Sequence, residues 1–411
     1  MSNSKEIKIT PFELTTEAGA IKLMTSLGVT SQGIKILAAK SIFCAFLIKG
    51  IKSWEANIIK QHLLSLGSDA AIERDALVKD INTDILIFGS RSQLKRLSNK
   101  LKGQPFSLKE VSRLISLYLE NLEKKEFVFL ARKKTLKIRK PIVCGIINLT
   151  KDSFSGDGLL AKATSSSEKI KFLALKKAEQ MIKEGAKILD IGAESSRPFA
   201  KQLRVKEELA QLIPVIKAIR KEFKKIPLSV DTYKYPVAYE ASCLGIDIIN
   251  DITALRHNPK IADIIKKNSL GCILMHMKGS PLTMQLNPYH KDVVWEIISF
   301  FKDRINFLNK KGISQNQICL DPGIGFGKRL EDNTRIINEL YKLKIFGLPI
   351  FLGLSRKSFI GKILKNNIDQ RLAGTIAANV VSINKGANIL RVHDVKETVE
   401  AIKIASSINL N

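Results

Sequence analysis

The chain contains Asp321-Pro-Gly-Ile-Gly-Phe-Gly-Lys328: an acid, three alternate glycines and a base. Such a loop invites a phosphate-binding reading, because glycine-rich turns offer backbone N–H groups to anions. Its details refuse that reading. A Walker A loop would place a glycine where Pro322 stands and a hydroxyl where Arg329 stands, and a Rossmann turn would place its third glycine at Lys328. The loop has to be read with the other polar residues that end apolar runs. These are Asn148, Asp190, Asp231, Asn250 with Asp251, His276, the Ser355-Arg356-Lys357-Ser358 run and Arg391-Val392-His393. Singly, an Asp after a strand is a cap or turn residue. Together the set describes a site, provided one architecture brings the ends to one rim. Carboxylates with an Asn suit a flat heterocycle that offers several N–H donors. Arg391, His393 and Arg197 suit a phosphate or a departing pyrophosphate. Ser358, opening a helical pattern, suits a carboxylate. The sequence shows no Ser-His-Asp triad, Cys-His pair or zinc-type cluster. The chemistry it supports is the positioning of two substrates and stabilisation of a leaving anion.

An architecture that gathers strand ends is legible after residue 140. Apolar runs at 141–148, 186–192, 227–232, 247–252, 271–277, 316–323, 349–355 and 388–394 are rich in Ile, Val and Leu. Runs of that kind read as strands buried on both faces of a parallel sheet. Amphipathic helical patterns lie between them, as at 169–185, 205–223 and 292–312. The repeats predict an α/β fold, a (β/α)8 TIM barrel over 139–411, whose βα loops meet on one catalytic face. An open doubly wound sheet is the alternative, but there is no glycine-rich first turn. Residues 1–138 predict a smaller N-terminal α/β domain of unknown role. Its helices are expected at 16–27, 53–66, 91–102 and 107–122, and its strands at 41–49, 69–73 and 84–89. The basic segment 123–140 reads as a strand plus linker.

Composition narrows the class. The 411 residues carry 67 basic and 39 acidic side chains, a net charge of +28. The excess is spread along the chain with no basic tail, so no nucleic-acid partner is expected, and a positive field suits anionic substrates. Five cysteines, an odd number, fall mostly in apolar runs without a Cys-x-x-Cys. That fits a reducing, cytoplasmic setting. The polar start MSNSKEIKIT has no signal-peptide core, and lysines interrupt the apolar stretch near 34–51, so no membrane span is expected. Lys328 reads as solvated surface. His62, His257 and His290 have no evident partner, and Trp54 and Trp295 read as packing.

The motifs IINLTKDSFSGDG, DIGAESSRP, SVDT, IINDI, MHMKG, DPGIGFGK, GLSRKSFIG and RVHD, in that order over 141–411, resemble the dihydropteroate synthase family. The resemblance implies a barrel enzyme of folate synthesis, usually dimeric, so a homodimer is expected. It implies that 4-aminobenzoate is joined to 6-hydroxymethyl-7,8-dihydropterin pyrophosphate with Mg2+, releasing pyrophosphate. On that resemblance Asp231, Asn250, Asp321 and Lys357 match pterin-binding positions. Arg391 lies over the pterin and reaches phosphate with His393 beside it, and Asn148 ligates Mg2+. Ser196 and Arg197 belong to a substrate-covering loop. Phe154, Pro198, Phe326 and Ser358 match the 4-aminobenzoate pocket, which sulfonamides also occupy. Arg391, His393, Lys357 and Arg197 are the residues expected to act in catalysis. Loops 149–160 and 193–204 are expected to close over pyrophosphate. The chain departs from the family pattern at Lys151, in place of proline, and at Phe199, in place of glycine. A pterin-dependent methyltransferase would share the pterin residues but has no use for SRKS or RVH. In the extension, NTDILIFGS resembles the preceding pyrophosphokinase only loosely, because Asn82 breaks that enzyme's aspartate pair.

Overall fold

The computed structural model describes residues 9–149, 167–194 and 202–408. They form two compact units, one up to Glu123 and one from Lys124.

The first unit contains α1 (Glu17–Ser26), α2 (Ser31–Ser41), β1 (Phe43–Lys52), α3 (Ser53–Leu64) and β2 (Asp69–Ile72). These are followed by β3 (Asn82–Ser90), α4 (Arg91–Leu101) and α5 (Leu108–Glu123). The order in its antiparallel sheet is β1-β3-β2. Alternate residues of β3, Ile85 and Ile87, enter a core with Ile59, Leu63, Leu94 and Leu97. The predicted α/β class and its elements are present, with α2 as an addition. The apolar stretch near 34–51 changes from helix to strand at Ile42, where the backbone becomes extended. Thr30 caps the start of that helix, its hydroxyl accepting from the Gly33 N–H.

The second unit opens with a hairpin of β4 (Phe127–Ala131) and β5 (Lys134–Ile138), followed by β6 (Ile142–Asn148) and α6 (Ser167–Glu184). Next come β7 (Ile188–Gly192), α7 (Val205–Glu222), β8 (Leu228–Asp231), α8 (Tyr235–Cys243), β9 (Ile248–Asp251) and α9 (Ile261–Lys267). Then follow β10 (Gly271–Met275), α10 (Val293–Lys310), β11 (Ile318–Asp321), α11 (Leu330–Asn338) and β12 (Phe351–Leu352). Helices α12 (Ser358–Leu364) and α13 (Leu372–Asn384), strand β13 (Ile389–Val392) and α14 (Val395–Ile408) complete it. The eight strands from β6 onward pair in parallel, in the order β11-β10-β9-β8-β7-β6-β13-β12. The two ends of that sheet meet through a bridge between Leu320 and Ile350, with the Leu320 N–H donating to the Pro349 carbonyl at 3.0 Å. The sheet is therefore a closed (β/α)8 barrel, and the C-terminal strand ends share one rim.

The sequence boundary at 138 moves to 123/124, because 123–140 is more than the strand plus linker read from the sequence. It is a two-stranded plug, with Phe127 paired to Ile138 and Phe129 to Leu136. Phe127, Phe129, Ala131 and Ile138 pack against Cys144, Ile188, Ile248, Ile273, Cys319 and Ile389 inside the barrel. Polar bonds lock the plug in place. The Arg132 guanidinium donates to the Ser242 and Ile246 carbonyls at 2.9 and 3.2 Å. Lys134 and Arg220 share the buried Asp247 carboxylate at 2.6 and 2.5 Å. The sequence reading missed the plug because each strand has five residues, too few to reveal a period.

Phe129 is fully buried. Phe129→Ala should lower stability by about 3–5 kcal/mol, read from urea unfolding. Removing residues up to Glu123 should leave a folded barrel, whereas removal through Ile138 should give a chain with a lower melting temperature or none. Equal melting curves for the two truncations would contradict the plug.

Candidate active site

Strand ends deliver the predicted side chains to one cavity of about 970 Å3, open to solvent. Asn148, Asp231, Asn250, Asp321 and Arg391 reach it from five different strands. Lys357 and Ser358, at the start of α12, and His393, just after β13, join the polar lining, and Phe326 supplies an aromatic wall. Ile146, Ile252, Met275, Met284 and Ile324 supply apolar surface. An apolar slot with convergent polar groups is what a flat ligand requires. Phe154, Ser196, Arg197 and Pro198, with the departures Lys151 and Phe199, lie outside the described residues, as does most of both predicted closing loops.

The centre of the site is an ion cluster. Arg391 Nε donates to Asp190 Oδ2 at 2.7 Å, and Nη2 donates to Asp231 Oδ2 at 2.9 Å. Asn250 Nδ2 donates to the same oxygen of Asp190 at 3.1 Å. The two carboxylates hold the proton on Arg391 more firmly than usual despite burial. Burial pushes the Asp231 carboxyl up to about 7, with the Arg391 charge resisting and Asp190 reinforcing the rise. Asp321 also rises through burial, against the Lys357 charge. Burial brings Lys357 down to about 8, opposed by Asp321. Lys357 Nζ donates to the Ile324 carbonyl and lies 4.6 Å from the Phe326 ring centroid. His393 Nδ1 and Ser355 Oγ are 2.9 Å apart, which orients the imidazole.

Several residues carry different duties from those read in the sequence. Lys328 is not solvated surface; it is buried. Its Nζ lies 3.0 Å from His276 Nδ1, 3.1 Å from the His276 carbonyl oxygen and 3.0 Å from the Phe326 carbonyl oxygen. Burial pulls its pKa well below that of ordinary lysine, and Asp321 resists. His276 does not join the rim: its ring packs edge-on against Phe300, with centroids 5.0 Å apart. His290 has partners after all, Glu296 at 2.6 Å and the Gly327 carbonyl oxygen at 2.8 Å. Arg356 is held by Asp394. Asp251 makes a local turn, its carboxylate accepting from the Thr253 and Leu255 N–H groups.

The glycines of the opening loop are explained by their neighbours. Gly323 has φ +69°, and a Cβ there would stand 2.0 Å from the His276 carbonyl oxygen. Gly327 has φ +62°, and its Cβ would stand 2.5 Å from the Lys278 carbonyl oxygen. The loop is pressed against the chain leaving β10, and only glycine fits.

Sequence reasoning placed Asp190 and Ser355 among the strand-end residues without an individual role and did not single out Glu194. Asp190 had a signal, a charge inside the buried run ILDIG. Glu194 lines the cavity, held by the Tyr233 hydroxyl at 3.0 Å and by Lys234. Asn148 offers the cavity one neutral oxygen. Among the described residues no group of three or more His, Cys, Asp or Glu could hold a metal. That donor set suits a hard ion that keeps its waters and takes substrate oxygens, as magnesium does.

The comparisons agree with this geometry. The family described as pterin binding enzyme matches residues 144–393, inside the barrel unit. A dihydropteroate synthase of Haemophilus influenzae is 40% identical over 278 residues, 67% of this chain and 96% of that one. One from Escherichia coli is 40% identical over 277 residues, 67% and 95% of the two chains. Among solved structures, the Yersinia pestis dihydropteroate synthase with a sulfonamide drug aligns with TM-score 0.64 at 40% identity, covering 69% of this chain and 100% of that one. The Burkholderia cenocepacia dihydropteroate synthase complexed with 7,8-dihydropteroate aligns with TM-score 0.60 at 35% identity, covering 69% and 96%. A barrel whose rim gathers Asp231, Asn250, Asp321, Lys357 and Arg391, and whose sequence matches these enzymes over nearly their whole length, belongs to the dihydropteroate synthase family of pterin-binding enzymes.

Proposed function

We propose that the barrel condenses 6-hydroxymethyl-7,8-dihydropterin pyrophosphate with 4-aminobenzoate, and that the cavity residues divide the work as follows. The pterin edge offers N–H groups to the carboxylates of Asp231 and Asp321. Arg391 occupies only Oδ2 of Asp231. The Gly323 N–H occupies only Oδ1 of Asp321, at 2.7 Å. Among the described residues each acid thus keeps an oxygen for the ring. Asn250 and Lys357 complete that seat. Arg391, with His393 beside it, faces the pyrophosphate. The 4-aminobenzoate ring lies against Phe326, and its carboxylate meets Ser358 at the start of α12.

The arylamine is a weak nucleophile, so the carbon–oxygen bond to pyrophosphate breaks first and its electron pair leaves with the diphosphate. The cation left on the methylene carbon is delocalised into the pterin, held beside two carboxylates. The amine nitrogen then bonds to that carbon and releases its extra proton to water. No strong general base is needed. Magnesium bound at Asn148 would neutralise charge on the diphosphate. Phe154, Ser196, Arg197 and Pro198 belong to the same proposal, as the loop residues that cover both substrates. So do a cytoplasmic setting and a homodimer; five free cysteines support the first.

The observation that carries this reading is the convergence on one cavity of nine residues chosen from sequence: Asn148, Asp231, Asn250, Asp321, Phe326, Lys357, Ser358, Arg391 and His393. Pyrophosphate release should require both substrates and Mg2+ when each is omitted in turn; release without 4-aminobenzoate at the same rate would reject the condensation. Asp231→Ala should weaken pterin binding on the order of 100-fold in calorimetry, as expected for an acceptor of charged hydrogen bonds. Ser358→Ala should instead raise mainly the 4-aminobenzoate KM. With Asp231 titrating at about 7 and Lys357 at about 8, kcat/KM for the pterin substrate should form a bell. Its acid limb marks ionisation of Asp231, and its alkaline limb marks loss of the Lys357 proton. Lys357→Arg should move the alkaline limb upward, whereas a profile flat between about pH 6 and 9 would contradict both assignments.

A further inference from the structure

Lys328 stands behind the cavity rather than in it, and its surroundings are unusual for a lysine. The side chain is buried, and among the described residues no carboxylate forms an ion pair with it. Three acceptors replace the carboxylate: His276 Nδ1, the His276 carbonyl and the Phe326 carbonyl, all within 3.1 Å. An ammonium has three N–H donors, so the set is complete.

Two of those acceptors belong to different segments. The His276 carbonyl lies just after β10, and the Phe326 carbonyl lies in the glycine loop after β11. That loop has left-handed glycines at 323, 325 and 327, so its own backbone resists displacement poorly. Its path is set by bonds from outside. The Gly325 N–H donates to Asn333 Oδ1 at 2.7 Å, and the Gly327 carbonyl lies 2.8 Å from His290 Nε2. For Phe326 that duty falls to Lys328. The Phe326 ring lines the cavity, with the Lys357 ammonium over its face. Asp321 is fixed differently, by pairing of β11 with Met275 of β10. The same loop thus carries a pterin-side residue fixed by the sheet and an aminobenzoate-side residue fixed by an ammonium.

We propose that Lys328 is a positioning residue for the second substrate, tying the Phe326 carbonyl to the exit of β10 and so holding the Phe326 ring as a wall of the 4-aminobenzoate site. It touches neither substrate. This inference rests on the synthase reading, and wild-type turnover tests that reading separately. In an active wild-type background, Lys328→Met should raise the 4-aminobenzoate KM about tenfold and leave the pterin Kd within about threefold. In a Phe326→Ala background the same substitution should add little, because its effect runs through that ring. Lys328→Gln keeps two N–H donors in the pocket and should give an intermediate KM. A wild-type KM in Lys328→Met, equal losses for both substrates, or full additivity with Phe326→Ala would each overturn the proposal. Failure of both Lys328 variants to fold would place the residue in the fold rather than the site, and would overturn it too.

Discussion

A half-buried guanidinium held between two carboxylates fixes the geometry of the cavity. Arg391 on β13 grips Asp190 on β7 and Asp231 on β8, residues separated by most of the barrel sequence. Asp190 is completely buried, and Arg391 and Asn250 both donate to its Oδ2. Breaking such a pair by removing one partner typically costs about 3–5 kcal/mol, because the other charge is stranded. The cluster therefore ties the ligand-facing polar groups to the barrel itself. The arrangement follows from the parallel strand order β8-β7-β6-β13, which sets the three residues on neighbouring strand ends. Adjacent parallel strands put their C-terminal ends on one rim, and the Leu320–Ile350 bridge joins the last edge.

The opposite end of the barrel poses a different problem. Its interior is filled by side chains such as Cys144, Ile188, Ile248 and Ile389, which would meet water at the floor. The β4-β5 hairpin solves this with Phe127 and Phe129 from one strand and Ile138 from the other. The chain thus spends its residues asymmetrically, with apolar aromatics below and paired charges above.

The architecture and most of the rim were legible in the sequence, for a physical reason. Strands buried on both faces have to be continuous apolar runs, so a polar residue at the end of each run stands out. Asp231, Asp321 and Arg391 were visible on that ground alone. Features decided by three-dimensional neighbours were not visible. Nothing in DPGIGFGK says that its lysine turns inward, because the three acceptors that receive Lys328 lie mostly on another segment. The hairpin was hidden by shortness and by the basic residues that interrupt its apolar ones, of which Lys134 turns inward to Asp247. His290 acquired its role from the Gly327 carbonyl, which sequence does not place beside it.

The proposed function assigns the two substrates to different kinds of structure, which suits what each must undergo. On that proposal the pterin becomes a cation and must meet charges that do not move, and the residues assigned to it, Asp231, Asn250 and Asp321, lie at the ends of paired strands. A ring braced by β-pairing loses little when charge develops, because its dipoles need no reorganisation. On the same proposal the arylamine enters as a separate substrate and departs as part of a larger product. The residues assigned to it, Phe326 and Ser358, sit on a glycine loop and a helix start. Such elements need bracing from behind, and the structure provides it where the backbone is least constrained: His290 at the Gly327 carbonyl, and Lys328 at the Phe326 carbonyl.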